Sequence, residues 1–151
     1  LGEVSNKTDG VFVNPKLWIS ILLMGFAFAA CSDTSVASIE LAGLNYTNAW
    51  ITTFTVDGYN GPGVSPNGGG GKFACCVNIP RKWHPGMKVT VRWIEDDRVP
   101  GSWKQQIVAV PEYTKQDIGE FVVHFYPDNT VKVLVTIKTH LHPDYPYPRP
   151  K

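Results

Sequence analysis

The sequence carries no excess of either charge. Its 14 lysines and arginines stand against 13 aspartates and glutamates, for a net charge of +1. The basic residues never form a run, so no broad field draws the chain to nucleic acid or to an acidic membrane surface. Cysteine is scarce, with only Cys31, Cys75 and Cys76, and none of them stands in the C-x-x-C spacing of zinc or thioredoxin-like sites. Long apolar runs are absent too. The longest apolar stretch, Leu17 to Ala30 with a single serine, has 14 residues, whereas a membrane-crossing helix needs about 20. There is no G-x-S-x-G nucleophile elbow and no H-E-x-x-H zinc helix. No internal repeat appears, and no segment shows the periodicity of a long amphipathic helix.

The short apolar run instead reads as a leader. Lys16 precedes it, and the small residues Ala29 and Ala30 close it before Cys31. A basic flank, a short apolar core and a small-residue end predict a secretory signal peptide over residues 1–30. "FAAC" resembles the lipobox of bacterial lipoproteins, in which the cysteine, here Cys31, receives lipid and becomes the mature N-terminus. Phe28 departs from that motif, which prefers an aliphatic residue at its position. Ser32 implies sorting to the outer membrane, with the domain on its periplasmic face. On this reading residues 31–38 are a lipidated tether and residues 39–151 are a single β domain with an extended, proline-rich C-terminal tail.

What the sequence does have is turn residues and aromatics: 14 glycines, 12 prolines and 12% Phe, Trp and Tyr. The glycines and prolines fall between apolar runs, as they do in all-β proteins. Strands are expected over 39–46, 49–56, 72–79, 87–94, 104–110, 121–126 and 130–139. In "AWITTFTV", Trp50, Thr52, Phe54 and Val56 share one face. Met87, Val89, Val91 and Trp93 point inward on their strand, and Val131, Val133, Val135 and Ile137 do so on the last. Residues 59–71 read as a Gly/Pro loop, and 114–118 as one helical turn. About seven short strands, each with one apolar face, predict an all-β fold: an immunoglobulin-like β-sandwich or a partly open barrel.

The stretch Asn67 to Val77, "NGGGGKFACCV", holds the densest candidate chemistry. It is not a phosphate loop, because Pro66 takes the first glycine position of that motif, Phe73 replaces the metal-binding hydroxyl, and a strand follows where a helix is required. Glycines in series more readily permit tight backbone turns, and Gly69 and Gly70 are also where a partner's backbone can approach closely. Neighbouring strand residues face opposite sides, which places Cys75 with Phe73, Val77 and Ile79, and Cys76 with Ala74 and Asn78. A vicinal disulfide between Cys75 and Cys76 and a pair of buried free thiols both fit, ahead of any metal or catalytic use.

Elsewhere the signals are thinner. His140, His142 and Asp144 form a conceivable metal corner, but such a set arises easily by chance beside prolines. His84 lies in a turn, and His124 is expected to face solvent or a sheet edge. Glu95, Asp96 and Asp97 read as a solvated loop. Trp50 and Trp93 are assigned to the core. Trp83 and Trp103 fall in turns beside basic residues, where tryptophans either anchor protein interfaces or cap the ends of the sandwich. Neither catalytic residues nor a cofactor is expected.

Taken together, "GLNYTNAWITTFTVDG", "GGGGKFACCVNIPRKWHPGMKVTVRW", "VPEYTKQDIGEFVVHFYPDNTVKVLVT" and "HPDYP" are similar, in register from about Leu41 to the C-terminus, to a family of short Gram-negative lipoproteins catalogued as a domain of unknown function. Its members are often encoded beside type VI secretion components and antibacterial phospholipase effectors. The resemblance implies an immunity lipoprotein that binds a secreted effector, of phospholipase type, and blocks it. It supplies no catalytic residues. The alternative reading is a structural or accessory envelope lipoprotein without a toxin-binding role, with a metal-binding protein behind it.

Overall fold

The computed structural model describes Gly2 and residues 35–95 and 102–150. The leader, the lipobox cysteine Cys31, the first residues of the tether and the acidic pair Asp96 and Asp97 lie outside the described residues.

The fold is all-β. Among the described residues, eight strands form two four-stranded sheets that pack as a sandwich, not a closed barrel. The first sheet has the order β4-β1-β7-β8, built from β1 (Val36–Asn45), β4 (Gly68–Pro80), β7 (Glu120–Phe125) and β8 (Val131–Thr136). The second has the order β3-β2-β5-β6, from β2 (Thr53–Val56), β3 (Tyr59–Gly61), β5 (Lys88–Ile94) and β6 (Lys104–Ala109). All ladders are antiparallel except β1 with β7, which is parallel. The expected helical turn is a single 3-10 turn over Lys115–Asp117, closed by Asp117 Oδ2, which accepts the Thr114 N–H at 2.8 Å and its hydroxyl at 2.7 Å.

Alternation explains most of the core. Val89, Val91 and Trp93 of β5, Val131, Val133 and Val135 of β8, and Phe121, Val123 and Phe125 of β7 fill the space between the sheets. Phe54 meets Phe125 edge-on with ring centroids 5.2 Å apart. Each such side chain contributes about 1.5–3 kcal/mol by leaving water.

Several expectations are corrected. The first strand begins at Val36, so residues 36–38 are paired with β4 rather than tethering the domain. The supposed loop after Gly58 contains β3, and the glycine run is not a loop but the start of β4. Ile137 is 63% exposed, because β8 ends at Thr136. The strand expected over 49–56 breaks at Thr52, leaving only an Ile51–Val64 bridge ahead of β2. That break shifts the facing by one residue, burying Ile51 and turning Trp50 outward at 55% exposure.

A register shift also redistributes β4. Ile39 pairs with Val77 but Leu41 pairs with Ala74, so Cys75 and Cys76 together oppose Glu40. This extra residue is a β-bulge, and it reverses which side chains face inward beyond it. Val77 and Ile79 are in the core, whereas Phe73 pairs with Ala42 on the opposite, outer face and is exposed. Cys75 and Cys76 form the vicinal disulfide across a cis peptide bond, on an edge strand. Cys75 is exposed and Cys76 half-buried, which removes the buried-thiol alternative.

Candidate functional site

Where the glycine run enters β4, the two sheets separate. Their opposite edges are tied together: the Val131 N–H of β8 donates to Gln106 Oε1 of β6 at 2.8 Å, and Lys104 Nζ donates to Asn129 Oδ1 at 2.7 Å. On the β3/β4 side the Asn78 amide donates to the Tyr59 hydroxyl at 3.0 Å. Beyond that bond, toward the glycines, the seam opens into a cleft of about 280 Å³. Gly43 and Gly69–Lys72 line one wall, Pro62–Ser65 the other, and Trp50 also lines it.

The glycines divide by purpose. A Cβ on Gly43 would come within 2.6 Å of Val64, and Gly69 has positive φ and packs against the Gly43 carbonyl. Gly70 also has positive φ, and its bare Cα carries the ring of His140 from the C-terminal tail. Gly71 is different: its φ is ordinary, and a Cβ there would meet nothing within 4 Å. Neither backbone nor packing demands glycine at that position.

Asn45 holds the far end of the cleft. It is fully buried at the end of β1. Its amide donates to the Ala49 carbonyl at 2.7 Å and to the Ser65 carbonyl at 3.1 Å, and its Oδ1 accepts the Thr47 N–H at 3.0 Å. One satisfied polar side chain thereby fixes both the segment that leads into Trp50 and the loop opposite it. Asn45 begins an Asn-x-Thr sequon, yet its side chain is spent on the fold.

The outer face of the first sheet is the largest departure from expectation. His124 does not face solvent. It is fully buried, with Nε2 2.8 Å from the Tyr145 hydroxyl and its ring edge-on to Tyr147 at 4.6 Å. Tyr46 stacks on Tyr126 at 4.6 Å, and its hydroxyl donates to the Pro148 carbonyl at 2.7 Å. The proline-rich tail therefore does not merely run along the surface; it roofs Ala42, Leu44 and Val122 with tyrosines. Burial pushes the His124 imidazolium down to about 3, and the neighbouring Lys132 charge adds to this. Burial also raises the phenols of Tyr46 and Tyr145.

The other expected site residues scatter. His140 rests on Gly70, whereas His142 Nδ1 accepts the Asp144 N–H at 3.1 Å. Among the described residues no three His, Cys, Asp or Glu side chains gather as a metal site. Trp83 packs against the core and donates its indole N–H to the Val110 carbonyl at 2.9 Å, which makes it an end cap. Trp103 is half-exposed on the second sheet, with the Arg92 guanidinium 5.0 Å from its ring. Of the four residues singled out for partner binding, only Gly69 and Gly70 lie at the cleft. Trp50, which the sequence assigned to the core, lies there with them. The signal for its exposure is the Thr52 break, which alternation alone does not reveal.

The chain belongs to the family described as a protein of unknown function (DUF3304), whose pattern it matches over residues 44–133. No curated protein and no solved structure matches it. The matched segment contains Trp50, the glycine run, the disulfide and Asn45, and it stops short of the tail.

Proposed function

We propose that this member of the family is a binding protein: a lipoprotein anchored through Cys31 at the periplasmic face of the outer membrane, which neutralises a secreted antibacterial effector of phospholipase type. The observation that carries the binding reading is the cleft itself. It is concave, floored by glycines and lined by an exposed tryptophan, on a scaffold held rigid by two sheets. Among the described residues, Lys72 is the only titratable side chain lining it. One ammonium beside a single hydroxyl, that of Ser65, with no titratable group lining the cleft to activate it, suits recognition better than turnover. The anchor and the toxin class rest on the leader and on the family resemblance. A lipid anchor would place the protein where a phospholipase acts.

The test is co-expression of the full chain with any secreted phospholipase encoded beside its gene, scoring complex formation and survival. A complex with rescue is expected; neither would sink the immunity reading. Cys31→Ser is expected to move the protein from the membrane fraction to the soluble periplasm. Retention in the membrane would refute the lipid anchor.

A further inference from the structure

The opening between β3 and β4 is more than a hollow. Among the described residues β4 has one neighbour, β1, and β3 has one neighbour, β2. The edge of β4 therefore presents unpaired main-chain N–H and C=O groups beside the cleft, and a free edge of this kind is a template for an added strand. Native edges are usually blunted by side chains or bulges. Here one bulge lies further along, at Cys75 and Cys76, and a second register shift sets Gly70, Gly71 and Lys72 opposite Gly43, so that Gly71 stands out of the β1 ladder with no side chain of its own.

Charge narrows the occupant. Three hollows meet at Gly68–Gly71: the cleft with Lys72, one with Lys138 and His140, and one with Arg149. Among the described residues Glu120 is the only acid lining any of them, and burial and the nearby Glu40 raise its carboxyl above its ordinary value. Lysine and arginine thus dominate around the glycine end of β4 in a chain that is otherwise nearly neutral.

Building on the binding reading above, we propose that the glycine end of β4 captures an extended, acidic segment of the partner protein. The segment pairs its main chain with β4 at Gly71, lays an apolar side chain against Trp50, and sets a carboxylate against Lys72. Gly71 is glycine because the incoming backbone occupies the space a side chain would fill.

The immobilised full chain can be panned with random short peptides. Enrichment of sequences that alternate Asp or Glu with β-branched or aromatic residues is expected. Their affinity should fall about tenfold or more in Trp50→Ala and in Lys72→Glu. Gly71→Arg should abolish capture while leaving the circular dichroism spectrum and urea midpoint unchanged, since nothing lies near that Cβ. Trp103→Ala, on the other sheet, should bind as the parent does. The proposal is overturned if no peptide is enriched, if the enriched peptides lack acidic residues, or if Gly71→Arg captures them normally. It is equally overturned if the cleft binds N-acetylglucosamine oligomers in place of peptides. Peptide capture without rescue from the effector would sink the immunity reading alone; rescue that survives Gly71→Arg would sink this docking mode alone.

Discussion

The outer face of the first sheet is roofed: tyrosines from the tail and the flanking turns cover Ala42, Leu44, Val122 and His124. Among the described residues, the outer face of the second sheet is bare. There Thr55, Thr90, Arg92, Gln105 and Ile107 stand in rows, and Ile107 is 65% exposed. Both sheets share one core, so the contrast lies in composition. The first sheet has apolar residues on both sides of β1 and β7 and needs a second cover, whereas threonines and charged residues let the second remain in water.

The sharpest way to break this contrast is to remove the roof. Truncation before Leu141 strips Tyr145 and Tyr147 from the first sheet and should cost about 3–5 kcal/mol, read as a fall in the urea midpoint. An unchanged midpoint would show that the tail is ornament. Asn45→Ala, which frees two carbonyls and an N–H around the cleft, should cost about 2–3 kcal/mol and raise proteolysis near Trp50.

Acid provides a gentler probe of the roof. His124 is neutral when folded, with its value lowered from 6.5 to about 3. Below pH 6.5 the unfolded chain binds a proton that the folded chain refuses, so stability falls as pH drops toward 3. The slope from this residue is at most about 1.4 kcal/mol per pH unit. Lys132, Tyr46, Tyr126, Tyr145 and Tyr147 are its neighbours, and none of the phenols ionises in that window. Glu120, with a raised carboxyl, works in the opposite sense over a narrower range. His124→Phe should flatten the acid dependence; a profile identical to the parent's would assign the loss elsewhere. The smallest effect is expected on the bare face, where Trp103→Ala should change stability by less than about 1 kcal/mol.

The legibility of the sequence tracked the same contrast. Strands with one buried face, such as β5, alternate cleanly, and Val89, Val91 and Trp93 are where alternation puts them. β7 is buried on both faces, so the pattern "FVVHF" hid the environment of His124. At the candidate site, the glycine run marked the place but not its form. A two-against-one bulge at Cys75 and Cys76 and the break at Thr52 each shift facing by one residue. That is enough to send Phe73 to the outer face and to expose Trp50.

Local chemistry therefore determined the class of fold, the hairpin at Asn129, the inward faces of the regular strands and the candidate status of Gly69 and Gly70, because these depend on near neighbours in the chain. The pairing of Gly70 with His140, the docking of Tyr145 on His124, and the opening of one seam while the other is tied were decided only in three dimensions. Those contacts join residues tens of positions apart, and neither partner carries a local mark of the other.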